Sequence, residues 1–93
     1  MVRKHVIVTG QVQGVFFRDT CRHNALGYGV SGWVRNLPDG EVEAVFEGSE
    51  DRVRRMVDWA HLGPPAADVT TVEVRDEEPE QLSGFEILPT PHR

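Results

Sequence analysis

A single cysteine, Cys21, occurs in the 93 residues, so neither an internal disulfide nor a cysteine-rich structural zinc site can form. Apolar runs are short: Val6-Ile7-Val8 and Val15-Phe16-Phe17 fall far below the ~20 residues of a membrane span. No charged-then-apolar leader opens the chain, and a cytoplasmic protein without membrane contact is the expectation. His5, His23, His61 and His92 have no paired ligand spacing, and Cys21 and His23 fall on different faces of a helix. Neither a metal nor a cofactor is therefore expected. No Gly-Lys-Ser/Thr follows a glycine loop, and the glycine spacing does not match a dinucleotide fingerprint. Cys21 also lies after the glycine loop and Arg18, not where a cysteine-dependent phosphatase carries its nucleophile. Strands around Val6 and Val42 lack the Lys/Arg-Gly-Phe pattern with stacking aromatics that an RNA-binding module of this size uses.

What is present reads as one folded unit. Hydrophobic residues make up 39% and charged residues 27%, which is ordinary globular composition. A second compact core would need roughly another 50 residues, so one domain over residues 1–93, and a monomer, are expected. The net charge of −5 is unevenly divided. Residues 1–36 carry Arg3, Lys4, Arg18, Arg22 and Arg35 against Asp19 alone, giving +4. Residues 37–93 carry five arginines against fourteen acids, giving −9. A general nucleic-acid binder spreads a basic face over the domain, and this chain does not. An anion site in the N-terminal third is compatible with the division, as is chance segregation of surface charge.

Pattern along the chain gives the elements. Residues 3–10 read as a strand with Val6 and Val8 facing the core. A helix is expected over residues 18–28, with Cys21, Ala25 and Tyr28 as its buried stripe and Gly29 as its left-handed stop. Residues 30–37 and 41–47 read as a hairpin turned by Pro38-Asp39-Gly40. In its second strand Val42, Ala44 and Phe46 face inward. Val45 among Glu41, Glu43 and Glu47 implies that the outer face is not wholly exposed. Ser49 opens a second amphipathic helix, with Val53, Met56, Val57 and Ala60 on one face, ended by Gly63-Pro64-Pro65. A fourth strand over 70–75, with Val72 and Val74 inward, an acidic solvated loop over 76–80 and a short strand over 85–88 complete the chain. The order β-α-β-β-α-β, with an extra C-terminal strand, predicts an α+β, ferredoxin-like split βαβ fold: two helices on one face of an antiparallel sheet.

Chemistry concentrates in residues 10–18. Gly14 lets the chain bend without a Cβ, so successive backbone N–H groups can converge. The loop opens into a helix whose first N–H groups are unpaired and partially positive. Arg18 adds a planar fork of donors matched to phosphoryl oxygens. The same residues would also serve as a plain strand-to-helix turn with an exposed arginine, and spacing alone does not choose. Asn36, shortly before Pro38, reads equally as a turn residue. Arg35 alternates to the opposite sheet face from Asn36.

Gly10-Gln11-Val12-Gln13-Gly14-Val15-Phe16-Phe17-Arg18 resembles the first signature of the acylphosphatase family. Gly32-Trp33-Val34-Arg35-Asn36, continuing through Gly40-Glu41-Val42 to Gly48, resembles its second. The similarity extends to Gly63-Pro64-Pro65 and Gly84-Phe85-Glu86-Ile87. The resemblance implies metal-free, cofactor-free hydrolysis of acyl phosphates to a carboxylate and inorganic phosphate, the latter also a competitive inhibitor. It implies that the backbone N–H groups of Gln13, Gly14, Val15, Phe16, Phe17 and Arg18 bind phosphate together with the Arg18 side chain. It assigns the orientation of the attacking water to Asn36. Phe16 stands where many relatives have a small residue and is expected to narrow access to the loop. Leu37 stands where some have Thr, so Asn36 has no hydroxyl support from that neighbour. Rival readings are a non-catalytic phosphoanion sensor and an accessory module of the same fold.

Overall fold

Strands and helices alternate because the hydrophobic period alternates between two and about 3.6. β-Branched alternation carries strand β1 over Val2–Gln11 in the computed structural model, which describes residues 1–92. Helix α1 (Phe17–Tyr28), strands β2 (Ser31–Asn36) and β3 (Val42–Gly48), helix α2 (Glu50–Leu62) and strands β4 (Asp68–Glu77) and β5 (Phe85–Ile87) follow. The five strands form one open sheet in the order β4-β1-β3-β2-β5. β1 pairs antiparallel with β3 and β4, and β2 antiparallel with β3. β5 runs parallel to β2. The sheet is therefore mixed at one edge, where pairing was expected to be antiparallel throughout. The reason lies in the route of residues 78–84, which carry the chain from one edge of the sheet to the other before β5 sets down beside β2.

Both helices cover one face. Val6, Val8, Val34, Val42, Ala44 and Phe46 from the sheet meet Cys21 and Ala25 of α1 and Val53, Met56 and Ala60 of α2, all essentially without solvent contact. Burying side chains of this size contributes about 1.5–3 kcal/mol each for the larger ones. Burial pushes the Cys21 thiol strongly upward, which leaves it a small apolar core residue. The stripe of α1 runs through Phe17, Cys21 and Ala25, not on to Tyr28. Tyr28 is exposed and lies beneath the Arg55 guanidinium, 5.9 Å from the ring centroid. The helix starts one residue earlier than its pattern indicated, and the aromatic Phe17 supplies the first buried turn.

The outer face carries its own cover. Val45 is inaccessible to solvent. Beside it, the buried Glu47 carboxylate accepts the backbone N–H groups of Glu80 and Leu82, each at 2.7 Å. Arg3 reaches Glu47 at 3.3 Å and Glu77 at 2.8 Å. Residues 76–80 are thus not a free acidic loop. Asp76 and Glu77 continue β4 opposite Lys4 and Arg3, and the next residues are fastened by Glu47. Val72 is half-buried as expected, but Val74 is 39% exposed because β4 is an edge strand. No helix among the described residues is long and apolar enough to cross a membrane.

Candidate active site

β1 and β2 are both antiparallel to β3, which lies between them. Their C-terminal ends therefore meet at the same end of the sheet. From the end of β1 comes the loop 12–16 and then α1; from the end of β2 comes Asn36. A register shift between Thr9 and Gly10 bends β1 just before the loop. Gly10 is required there, since a Cβ would stand 2.3 Å from the Asp68 carbonyl oxygen.

Two residues of the loop are left-handed, Gly14 at φ 72° and Phe16 at φ 64°. Such reversals of hand at alternate positions curl a chain so that consecutive N–H groups face its concave side. Among the described residues, the backbone hydrogen bonds here engage Thr20 N–H with the Phe16 carbonyl, and none is donated by the amides of residues 13–18. Helix α1 begins at Phe17. Its ring packs at a centroid distance of 4.9 Å on Trp59 of α2, which fixes the first turn and with it the base of Arg18.

The loop, the first turn and β2 enclose a cavity of about 250 Å³ lined by Val12, Gly14, Phe16, Phe17, Arg18, Asp19 and Asn36. Arg18 and Asn36, eighteen positions apart in sequence, thus face one space. The Arg18 guanidinium makes no ion pair with the carboxylates of the described residues. Asn36 Oδ1 is buried and accepts no hydrogen bond from the described residues. An acceptor removed from water and left without a donor costs about 1–3 kcal/mol, so Asn36, a residue of the cavity lining, carries an unmet hydrogen bond.

Of the six positions expected to hold phosphate, Gly14, Phe16, Phe17 and Arg18 line the cavity, whereas Gln13 and Val15 do not. Val15 packs its side chain against the core. Gln13 turns its carboxamide towards the β2–β3 turn and donates through Nε2 to the carbonyls of Leu37 and Glu41, both at 2.9 Å. Sequence reasoning missed this brace, and it missed Val12 and Asp19 as cavity residues. Val12 was open to discovery, because an apolar residue just beyond β1 has few surroundings other than the core. Phe16 belongs to the cavity lining and is 76% exposed.

Arg35 is excluded from the cavity by strand alternation. Its Nε donates to Glu43 at 2.6 Å on the outer face, and its guanidinium lies 5.0 Å from the centre of the Trp33 ring. His5 holds the other Glu43 oxygen at 2.7 Å. Burial alone would raise the Glu43 carboxyl, but the contacts with His5 and Arg35 outweigh it and the group sits below its ordinary value.

The fold is the ferredoxin-like sandwich expected from the element order. A solved acylphosphatase from Bacillus subtilis superposes with a TM-score of 0.91 at 35% identity, over 95% of this chain and 99% of that one. An acylphosphatase structure from Coxiella burnetii gives 0.90 at 39% identity, over 94% and 92%. In sequence, an acylphosphatase from Trichormus variabilis is 60% identical over 87 residues, covering 94% of this chain and 86% of the relative. A sequence model of the acylphosphatase family matches residues 4–87. The chain belongs to the acylphosphatase family.

Proposed function

We propose that the cavity at the ends of β1 and β2 carries out the hydrolysis of acyl phosphates that family membership assigns to this chain, with Arg18 and the loop amides holding the phosphoryl group and Asn36 orienting water. The single observation that carries this reading is that Arg18, which makes no ion pair among the described residues, and Asn36, whose Oδ1 has no hydrogen-bond partner among them, both line one cavity. One is a cationic fork for phosphoryl oxygens; the other is an acceptor for the hydrogen of a water.

The chemistry asks for little more. Attack of the water oxygen on phosphorus forms one P–O bond as the P–O bond to the acyl group breaks, and that electron pair leaves on the carboxylate. A carboxylate is stable as an anion near neutral pH and needs no general acid. The transition state is loose, with charge on the equatorial phosphoryl oxygens, so positioning and electrostatics supply most of the catalysis. The amides of the loop residues that line the cavity, Gly14, Phe16, Phe17 and Arg18, and the Arg18 guanidinium donate to those oxygens. The Asn36 carboxamide is neither an acid nor a base near neutral pH, so its role is to fix the angle of attack. The water's proton passes to a phosphoryl oxygen of the substrate, and the products are a carboxylate and inorganic phosphate.

Inorganic phosphate, which presents the same oxygens, is then a competitive inhibitor. The test is phosphate release from an acyl phosphate by the purified protein, with and without a chelator. Turnover that persists in chelator supports the reading. Folded protein that binds inorganic phosphate without turning over any acyl phosphate would favour a sensor instead.

A further inference from the structure

Phe16 departs from three local preferences at once. It occupies the N-cap of α1, where a short polar side chain that can accept a helix N–H is favoured, and no side-chain cap bond forms. Its backbone, at φ 64° and ψ 24°, lies in the left-handed region that penalises a residue with a Cβ. The residue is 76% exposed, whereas the adjacent Phe17 is 3% exposed. Asparagine would supply the polar cap and tolerate the left-handed backbone, and glycine would remove the strain outright, so the loop itself does not need a phenyl group here. Other exposed apolar residues, such as Met1 and Leu62, are ordinary surface scatter away from the cavity. Phe16 stands on the cavity wall. Strained, exposed residues that packing does not explain concentrate at functional sites.

Among the lining residues, Val12 and Phe17 are buried, and Arg18, Asp19 and Asn36 are polar. Phe16 is therefore the apolar surface that a substrate can still cover. An in-line reaction puts the leaving group on the far side of phosphorus from the attacking water. With the phosphoryl group inside the loop, the acyl portion is the part that emerges past the rim. We infer that Phe16 is the acyl contact of the site and that it selects acyl phosphates with an aromatic or bulky apolar body over small ones. The exposed Asp19 carboxylate on the same wall acts in the same sense by repelling acyl groups that carry a second negative charge. This inference rests on the phosphoryl-binding reading above.

The experiment compares kcat/KM for benzoyl phosphate and for acetyl phosphate in wild type, Phe16→Gly and Phe16→Leu. Glycine accepts φ 64° freely, so the first variant keeps the bend, and leucine keeps an apolar surface without the ring. The benzoyl-to-acetyl ratio cancels any effect of the substitution on the loop, because both substrates present the same phosphoryl group. The ratio is expected to favour benzoyl phosphate in wild type, to fall about tenfold in Phe16→Gly, and to take an intermediate value in Phe16→Leu. A ratio in Phe16→Gly within about twofold of wild type would overturn the assignment, since loss of an apolar contact should exceed that. Failure of wild type to hydrolyse either substrate would instead overturn the phosphoryl-binding reading, and this inference with it.

Discussion

The side chain of Gln13 donates to the Leu37 carbonyl at 2.9 Å, and so ties the loop that precedes α1 to the turn that follows Asn36. The second bond of the same nitrogen, to the Glu41 carbonyl, closes the tie on both sides of the hairpin turn. The two halves of the site therefore keep their spacing through one carboxamide. Gln13→Ala removes both bonds at about 1 kcal/mol each, and Tm is expected to fall by several degrees. Turnover is expected to fall about tenfold through misplacement of Asn36 relative to the loop, with little change in inhibition by phosphate. Thermal unfolding and steady-state kinetics on the same preparation check both outcomes.

Arg18 and Asn36 should separate when each is removed. Arg18→Ala is expected to cost about 10²–10³ in kcat or more, since it deletes a donor to the developing charge, and to weaken phosphate inhibition. Asn36→Ala is expected to lower kcat to a comparable degree while the phosphate inhibition constant stays within about threefold, as befits a residue that holds water. Equal losses of anion affinity in the two variants would contradict the division of roles.

Asp19 brings a carboxylate to the cavity wall, where the sequence signatures contain none. If it were a general base, Asp19→Asn would lower kcat by about 10²–10⁴. Proton transfer to the substrate's own phosphoryl oxygen predicts otherwise: kcat within a few-fold of wild type and tighter phosphate binding at low salt, because a like charge has been removed. A small loss of stability, about 0.5 kcal/mol, should accompany it from the first turn of α1. Kinetics and phosphate titration at two ionic strengths distinguish these outcomes.

Glu47 makes stability depend on acid pH. Burial pushes its carboxyl up, but the N–H groups of Glu80 and Leu82 and the Arg3 guanidinium outweigh that and hold it below the ordinary carboxylate value. A depressed folded-state value means that the stabilisation is present in full above the unfolded value, about 4.3, and is lost as pH falls through the folded one. Glu47→Gln is expected to cost about 3 kcal/mol near neutrality, as expected for breaking a buried pair. The gap to wild type should narrow progressively below about pH 4. Denaturant midpoints measured across that range test the sign.

Much of the frame was legible because burial imposes a period. Val6 and Val8, Cys21 and Ala25, Val42, Ala44 and Phe46, and Val53, Met56 and Ala60 all repeat at spacings that set them on one face of their element, and all are buried. Tyr28 matched the α1 stripe but is exposed beneath the Arg55 guanidinium, since periodicity gives direction from the helix axis but not what lies there. The extension of β4 to Glu77 was hidden because Asp76 and Glu77 look like loop residues by composition. Their strand conformation comes from pairing with Lys4 and Arg3, seventy-odd positions away. The parallel setting of β5 was hidden for the same reason.

By itself, the sequence determined the element order, the inward faces and the chemical kinds gathered at residues 10–18 and 32–36, because backbone period and side-chain chemistry are local properties. Only the tertiary structure decided that Arg18 and Asn36 share a cavity, that Gln13 braces the hairpin outside its lining, and that Asp19 and Phe16 belong to that lining. Those facts depend on which strand ends lie side by side and on which hand each loop residue adopts. Both are settled by long-range pairing across β3 and by packing of α1 on the sheet.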